Sequence, residues 1–218
     1  MRLADHYQAV LLDLDGVLYR GEHRVPGAPE AVTALRSVGK RIVFLTNNSA
    51  RTPEQVAEKL RGLGIEAAPE EVVTSALPTA RLLATSADGG TPTAYVVGQD
   101  GVRAALDEAG VQVLVGEPDG ADFVVVGWDG EVGYEQLRVA TVLVRRGAQL
   151  VATNDDAAYP APGGELWPGA GAILAAVETA SGTRATVVGK PHRPLFEAAL
   201  ELAGTRNGVM VGDRKSVV

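Results

Sequence analysis

The chain of 218 residues contains no cysteine, and aromatic residues make up only 5 % of it. Without cysteine the protein can form neither disulfide bonds nor thiolate metal sites. Its three histidines, His6, His23 and His192, lie far apart in the sequence. A zinc site would require their convergence, and the sequence gives no support for one.

The sequence also lacks a run of basic residues, and its net charge is −7. This charge argues against a nucleic-acid partner. No apolar segment reaches the length of a membrane span, and the amino terminus has no apolar region typical of a signal peptide. We therefore expect a cytoplasmic protein with no membrane partner.

Hydrophobic residues make up 46 % of the chain and charged residues 22 %, which is sufficient for a substantial core. Apolar segments typical of buried strands alternate with helical segments, and this alternation predicts an α/β fold with a doubly wound parallel sheet. A segment rich in Gly, Ser, Asp and Thr, residues 86–92, interrupts the alternation, which then begins again. The second α/β unit is expected to form a separate domain, inserted or appended.

The most informative segment is Asp13-Leu14-Asp15-Gly16, which follows the apolar run 9–12. Ligands bind at the carboxyl ends of strands in open α/β sheets. Two carboxylates at such a position are costly unless a cation or a reaction needs them. They indicate a metal-assisted nucleophile and a general acid/base, although a solvated strand end would look the same.

Three later strand ends carry further polar residues. Thr46-Asn47-Asn48-Ser49 can donate hydrogen bonds to an anionic oxygen, or can form a plain polar turn. Lys190, after the predicted strand 186–188, can hold a phosphate or a carboxylate, or can face solvent. Asp213 follows the strand 208–211 and, with Asp13 and Asp15, would make a hard oxygen site suited to Mg²⁺.

In the order of the polar residues at these four strand ends, the chain resembles the haloacid dehalogenase superfamily. More narrowly, the chain is similar to its class IIA branch, the NagD-like or nitrophenyl-phosphatase group, which includes pyridoxal-phosphate and phosphoglycolate phosphatases. The resemblance extends from the first strand to Gly212, and the segments that carry it are 13–19, 45–48, 74–75, 152–155 and 189–191.

The resemblance implies a role for each site residue. Asp13 would attack phosphorus and form an aspartyl-phosphate, and Asp15 would protonate the leaving oxygen and then activate water. Thr46 and Lys190 would stabilise charge on the phosphoryl oxygens. The remaining phosphate-binding positions implied are Gly16, Asn47 and Asn48, and Asn47 would help to hold either the phosphate or the loop that carries the nucleophile.

The resemblance also implies that Mg²⁺ is held by Asp13, the Asp15 carbonyl and Asp213. Residues 1–85 and 184–218 would form the core domain, and residues 86–183 a C2-type cap that selects the substrate. We expect a small phosphorylated metabolite as substrate, with recognition in the cap and its loop 154–168. A homodimer formed through the cap is a further expectation.

The pattern breaks at the end of the sequence, where residues 213–218 read Asp-Arg-Lys-Ser-Val-Val. The second acidic residue of the family's fourth motif is replaced by Val218, and the elements that finish the core are absent. The chain is therefore expected to be truncated, either naturally or because the tail is a sequencing artefact: these residues can be encoded by a read-through adapter. A catalytically impaired protein that only binds a phosphorylated ligand is the alternative function.

Two other classes of protein use strand-end residues on similar sheets. A dinucleotide-binding oxidoreductase would need G-x-G-x-x-G after the first strand, where this chain has Asp13-Leu14-Asp15-Gly16. A phosphoacceptor receiver domain also uses strand-end aspartates, but it would not need an insertion of this size.

Overall fold

The computed structural model describes residues 6–86, 90–161 and 164–213. These residues form two compact units. The first, called the core unit, takes the chain up to Thr46, Pro53–Thr74 and the chain from Lys190 onward. The second, called the cap unit, takes Asn47–Thr52 and Ser75–Gly189.

The strands and helices alternate through most of the described chain. The strands are β1 (Ala9–Asp13), β2 (Tyr19–Arg20), β3 (His23–Arg24), β4 (Arg41–Thr46), β5 (Val72–Thr74), β6 (Thr93–Val97), β7 (Gln112–Leu114), β8 (Phe123–Val126), β9 (Gln149–Ala152), β10 (Ala158–Pro160), β11 (Leu166–Pro168), β12 (Thr186–Val187) and β13 (Gly208–Val211). The α-helices are α1 (Ala28–Ser37), α2 (Pro53–Gly62), α3 (Ala76–Thr85), α4 (Asp100–Glu108), α5 (Tyr134–Arg145), α6 (Ala170–Ser181) and α7 (Arg193–Leu202).

The core unit is built on a parallel sheet with the strand order β13-β1-β4-β5. Successive residues of β1 point to opposite faces, and both faces are covered. On one face Val10 and Leu12 pack with residues of α1 and α2, among them Val32 and Leu60. On the other face Leu11 packs in a cluster with residues of α7. This burial on both sides explains why the first strand reads as a continuous apolar run.

The cap unit contains a second parallel sheet, of five strands in the order β12-β9-β8-β6-β7. Residues of α3 and α4 contribute to the apolar cluster on one face of this sheet, and residues of α5 and α6 to the cluster on the other. Two α/β units with parallel sheets confirm the predicted fold class.

One strand belongs to a different sheet from the one expected. From the sequence, the strand before Lys190 is expected in the core sheet, with the strands that end near Asp13, Thr46 and Asp213. In the structure that strand, β12, pairs with β9 in the cap unit, where Thr186 lies opposite Val151. The compact cap unit therefore extends to residue 189, and its boundaries differ from those expected for the cap at 86 and 183.

The expected loop 154–168 contains a short antiparallel hairpin, in which Tyr159 lies opposite Trp167. A second small hairpin, β2–β3, was not expected either. Both consist of strands of two or three residues, too short to show an alternating pattern. Residues 87–89 of the expected linker and residues 214–218 of the unusual tail lie outside the described residues. No helix in the described ranges has the length and apolar character needed to cross a bilayer.

Candidate active site

Three of the site residues predicted from the sequence follow neighbouring strand ends of the core sheet. Asp13, the last residue of β1, pairs with Leu45 of β4, so Thr46 lies one position further along the same edge. On the other side Leu12 pairs with Val211 of β13, and this register carries Asp213 one position beyond Asp13. The parallel sheet thus brings together residues that are about 200 positions apart in sequence.

Lys190 joins this group through an ion pair with the first aspartate. Its Nζ lies 2.5 Å from Oδ1 of Asp13, and the two side chains are 10 % and 18 % exposed. The backbone N–H of Leu14 donates to the same oxygen at 2.8 Å. Two donors on one oxygen fix the orientation of the Asp13 carboxylate before any substrate binds.

The second aspartate has a different electrostatic environment. Removal of water from its carboxyl raises the pKa of Asp15, and the charges of Asp13 and Asp213 add to this effect. The cations Lys59 and Lys190 oppose it by stabilising the ionised form. A carboxyl group with a raised pKa retains its proton to higher pH, as a general acid requires.

A tight turn around Asp15 brings Gly16 close to Asp213. The carbonyl of Leu14 accepts the N–H groups of Val17, Leu18 and Tyr19. Gly16 adopts φ +83°, in the left-handed region that favours glycine, and a Cβ there would lie 2.5 Å from Oδ2 of Asp213. The glycine is therefore required both by its backbone conformation and by the approach of Asp213.

This close approach gives a prediction for Gly16→Ala. The added methyl group would displace the Asp213 carboxylate, so the concentration of Mg²⁺ giving half-maximal activity should rise about tenfold or more, as on loss of a metal-site contact. The strained φ should lower stability by about 1 kcal/mol. Gly21→Ala is the matched control, because Gly21 also has a positive φ but a Cβ added to it would meet nothing within 4 Å. Equal Mg²⁺ dependence of the two variants would contradict the placement of Asp213.

The residues that directly follow Thr46 belong to the cap unit. Thr46 itself is only 3 % exposed. Asn47 donates from Nδ2 to Oδ2 of Asp156 at 2.9 Å. Asn48 accepts the N–H of Ala50 on its Oδ1 at 2.9 Å, which is the local bond of a polar turn. The phosphate-binding roles expected for Asn47, Asn48 and Gly16 stay predictions.

A further charged residue of the site, Lys59, lies on α2 and is not predicted from the sequence. Its Nζ is 4.2 Å from the centre of the Tyr19 ring, and it is the largest electrostatic influence that lowers the pKa of Asp15. Stacking over an aromatic ring holds an ammonium group in place. Nothing in the sequence marks this lysine, because it is one of several charged residues on an amphipathic helix and reaches the site only through the fold.

The arrangement is compatible with a Mg²⁺ ion. Among residues 6–86, 90–161 and 164–213, no three His, Cys, Asp or Glu side chains are grouped as a complete set of metal ligands. Mg²⁺ does not require such a set, since it is usually bound by one or two carboxylates, with water and substrate phosphate completing its shell. Asp13, Asp213 and the Asp15 carbonyl are all hard oxygen donors and fit this description.

Comparison with known proteins gives consistent matches. The family model of the haloacid dehalogenase-like hydrolases matches residues 10–112. An acid sugar phosphatase of Staphylococcus epidermidis is 40 % identical over 210 residues, which are 95 % of this chain and 79 % of the relative. An acid sugar phosphatase of Staphylococcus aureus is 42 % identical over 209 residues, with the same coverage.

Solved structures match over nearly the whole chain. A thermostable NPPase from Geobacillus stearothermophilus, a double mutant, superposes with a TM-score of 0.88 at 39 % identity and covers 97 % of this chain and 82 % of its own. A glycerol phosphate phosphatase from Mycobacterium tuberculosis, crystallised with magnesium, has a TM-score of 0.92 at 34 % identity. That match covers 98 % of this chain and 64 % of the other.

Proposed function

The chain belongs to the haloacid dehalogenase-like hydrolases, in their class IIA branch, and on this basis we propose that it hydrolyses phosphomonoesters of small metabolites with the help of Mg²⁺. The observation that carries the proposal is the fixed Asp13 carboxylate, paired with Lys190 at the carboxyl edge of the core sheet. A carboxylate next to a cation in this place suits attack on a phosphoryl group.

In the first step of the proposed reaction, a carboxylate oxygen of Asp13 attacks phosphorus and the bond between phosphorus and the ester oxygen breaks. The leaving oxygen takes the proton of Asp15, whose raised pKa favours the protonated form. The products of this step are the free alcohol and a phosphoryl group bound to Asp13.

In the second step Asp15, now ionised, accepts a proton from a water molecule whose oxygen attacks phosphorus. The bond between phosphorus and Asp13 breaks, so inorganic phosphate leaves and both aspartates return to their starting state. Lys190 and Thr46 would stabilise the negative charge on the phosphoryl oxygens in both steps. A bound Mg²⁺, held by Asp13, Asp213 and the Asp15 carbonyl, would neutralise the repulsion between carboxylate and phosphate.

The names of the relatives narrow the substrate class that we propose. They include acid sugar phosphatases and a glycerol phosphate phosphatase, whose substrates carry a phosphate on a small polyhydroxyl compound. We therefore place sugar phosphates and glycerol phosphates first among candidate substrates of this chain. Substrate recognition in the cap unit, and assembly of a homodimer through that unit, stay predictions.

The proposal predicts phosphate release from p-nitrophenyl phosphate and from a panel of sugar and glycerol phosphates. Removal of divalent metal with EDTA should reduce turnover at least about 100-fold, because charge neutralisation is a large part of the catalysis. Addition of Mg²⁺ should restore it. Binding of inorganic phosphate in a calorimeter without turnover of any ester would instead support a non-catalytic phosphate-binding protein.

A further inference from the structure

An acidic side chain of the cap unit holds the chain immediately after Thr46. Oδ2 of Asp156 accepts hydrogen bonds from Nδ2 of Asn47 at 2.9 Å and from Nδ2 of Asn154 at 3.1 Å. A charged acceptor makes both bonds stronger than bonds between neutral groups. The carboxylate has no donor of its own, so both amides must turn their nitrogen toward it.

The backbone that carries Asp156 is held by the start of helix α6. The N–H of Gly171 donates to the Asp156 carbonyl at 2.9 Å. A Cβ at Gly169 would overlap the carbonyl oxygen of Asp156, and one at Gly171 would overlap that of Asp155. The loop therefore packs directly against the start of α6, and this packing fixes the position of the Asp156 backbone.

The segment that Asp156 contacts is anchored by other bonds as well. Ser75 donates from Oγ to the backbone carbonyl of Asn47 at 2.7 Å. Two residues further on, the Ser49 hydroxyl lies 2.9 Å from the Thr153 hydroxyl. Ser49, Ser75 and Thr153 have no exposed surface. Buried hydroxyl bonds of this kind fix the path of the backbone that carries Asn47.

The orientation of Asn47 matters for two site residues. Asn47 is bonded directly to Thr46. Its Oδ1 lies 2.8 Å from the position that a Cβ would take on Gly189, the residue bonded to Lys190. If the amide were reversed, Oδ1 would face the carboxylate of Asp156 and be repelled. The carboxylate thus keeps the amide nitrogen on one side and the oxygen toward Gly189.

From these contacts we propose that Asp156 is a positioning residue for phosphoryl transfer, acting through the amide of Asn47 on the segments that carry Thr46 and Lys190. The inference rests on the proposed phosphatase function. It gives Asn47 a different part from direct phosphate binding, because its Nδ2 is turned toward the cap carboxylate. It also gives one residue of the cap unit a part in positioning the reacting groups, in addition to the substrate recognition predicted for that unit.

A double-mutant cycle on Asp156 and Asn47 tests the proposal. Asp156→Ala and Asn47→Ala should each lower kcat for p-nitrophenyl phosphate about tenfold, because displacement of a catalytic group by a fraction of an ångström costs this much. The double variant should lose about the same tenfold rather than about a hundredfold, since both changes remove one interaction. The dissociation constant of inorganic phosphate, measured by calorimetry with Mg²⁺, should follow the same pattern.

Asp122→Ala is the matched control. Asp122 also belongs to the cap unit, and its Oδ2 accepts two hydrogen bonds, from the N–H and the hydroxyl of Thr93. It lies before β8, at the amino edge of the sheet, whereas Asp156 follows the carboxyl end of β9. This variant should keep the wild-type kcat even if its thermal midpoint falls as far as that of Asp156→Ala.

If Asp156→Ala does not fold, Asp156→Asn takes its place in the cycle. The asparagine retains an oxygen acceptor, so kcat should fall only about threefold and should not fall further when Asn47 is already alanine. Two outcomes would overturn the positioning role while leaving the phosphatase proposal intact. One is a loss of kcat of about a hundredfold in the double variant, and the other is an unchanged kcat in Asp156→Ala. A wild-type protein that neither hydrolyses esters nor binds phosphate would overturn both.

Discussion

Asp13→Asn should abolish turnover of p-nitrophenyl phosphate, with a loss of about 10⁴-fold or more, as expected when a nucleophile is removed. The asparagine has the same shape and can still accept the N–H of Leu14, which now bonds to Oδ1 of the aspartate. It cannot form an acyl phosphate. In the wild type, protein quenched with acid during turnover should carry one phosphoryl group on Asp13, detectable by peptide mass spectrometry, and the variant should carry none.

The fold should survive this change, which separates lost chemistry from lost structure. The substitution removes one ion-pair partner of Lys190, which is destabilising, but it also removes a negative charge that acts unfavourably on Asp15. Because the pair retains some exposure and these effects oppose each other, we expect a change in stability within about 1 kcal/mol. Asp122→Asn, an exposed carboxylate of the cap unit, is the control and should keep full activity. Retention of more than a tenth of wild-type turnover by Asp13→Asn would rule out its assignment as nucleophile.

The sequence predicted β1 and β4 of the core sheet well because these strands are buried on both faces. Continuous apolar runs such as 9–12 and 42–45 are typical of this situation, and polar residues directly after them mark the edge where a ligand binds. Asp13 and Thr46 are the last residues of two adjacent strands of that sheet, and Asp213 follows a third. The family resemblance seen in the motifs is confirmed by relatives at about 40 % identity over most of the chain.

The route by which Lys190 reaches the site could not be predicted from local pattern. The strand before it is short, and such a strand fits either sheet equally well. Its assignment to the cap unit rests on the pairing of Thr186 with Val151 and of Val187 with Ala152. Lys59 and Asp156 were missed for a related reason. A charged residue on a helix or in a loop resembles any solvated residue until the fold shows which group it faces.

Gly189→Ala should be strongly destabilising and should also reduce turnover. A Cβ at this position would lie 2.5 Å from the carbonyl oxygen of Thr153, 2.8 Å from Oδ1 of Asn47 and 2.9 Å from Cβ of Asn154. Contacts this short cannot be accommodated without movement of the backbone. The segment cannot easily withdraw, because the preceding residue, Val188, is fully buried and its N–H donates to the carbonyl of Ala152 at 3.0 Å.

The cost of this overpacking is about 2–3 kcal/mol, which corresponds to a thermal midpoint lower by about 5–10 °C in a protein of this size. Turnover should fall by about tenfold or more in the folded fraction, because Lys190 is bonded directly to the displaced residue. Gly120→Ala is the matched control in the same unit, since its Cβ would meet nothing within 4 Å. Thermal unfolding followed by circular dichroism, with turnover measured well below the midpoint, separates the two effects. Equal thermal midpoints and equal turnover in Gly189→Ala and Gly120→Ala would contradict this prediction. They would show that the close packing of Asn47, Thr153 and Gly189 does not fix the segments next to Thr46 and Lys190.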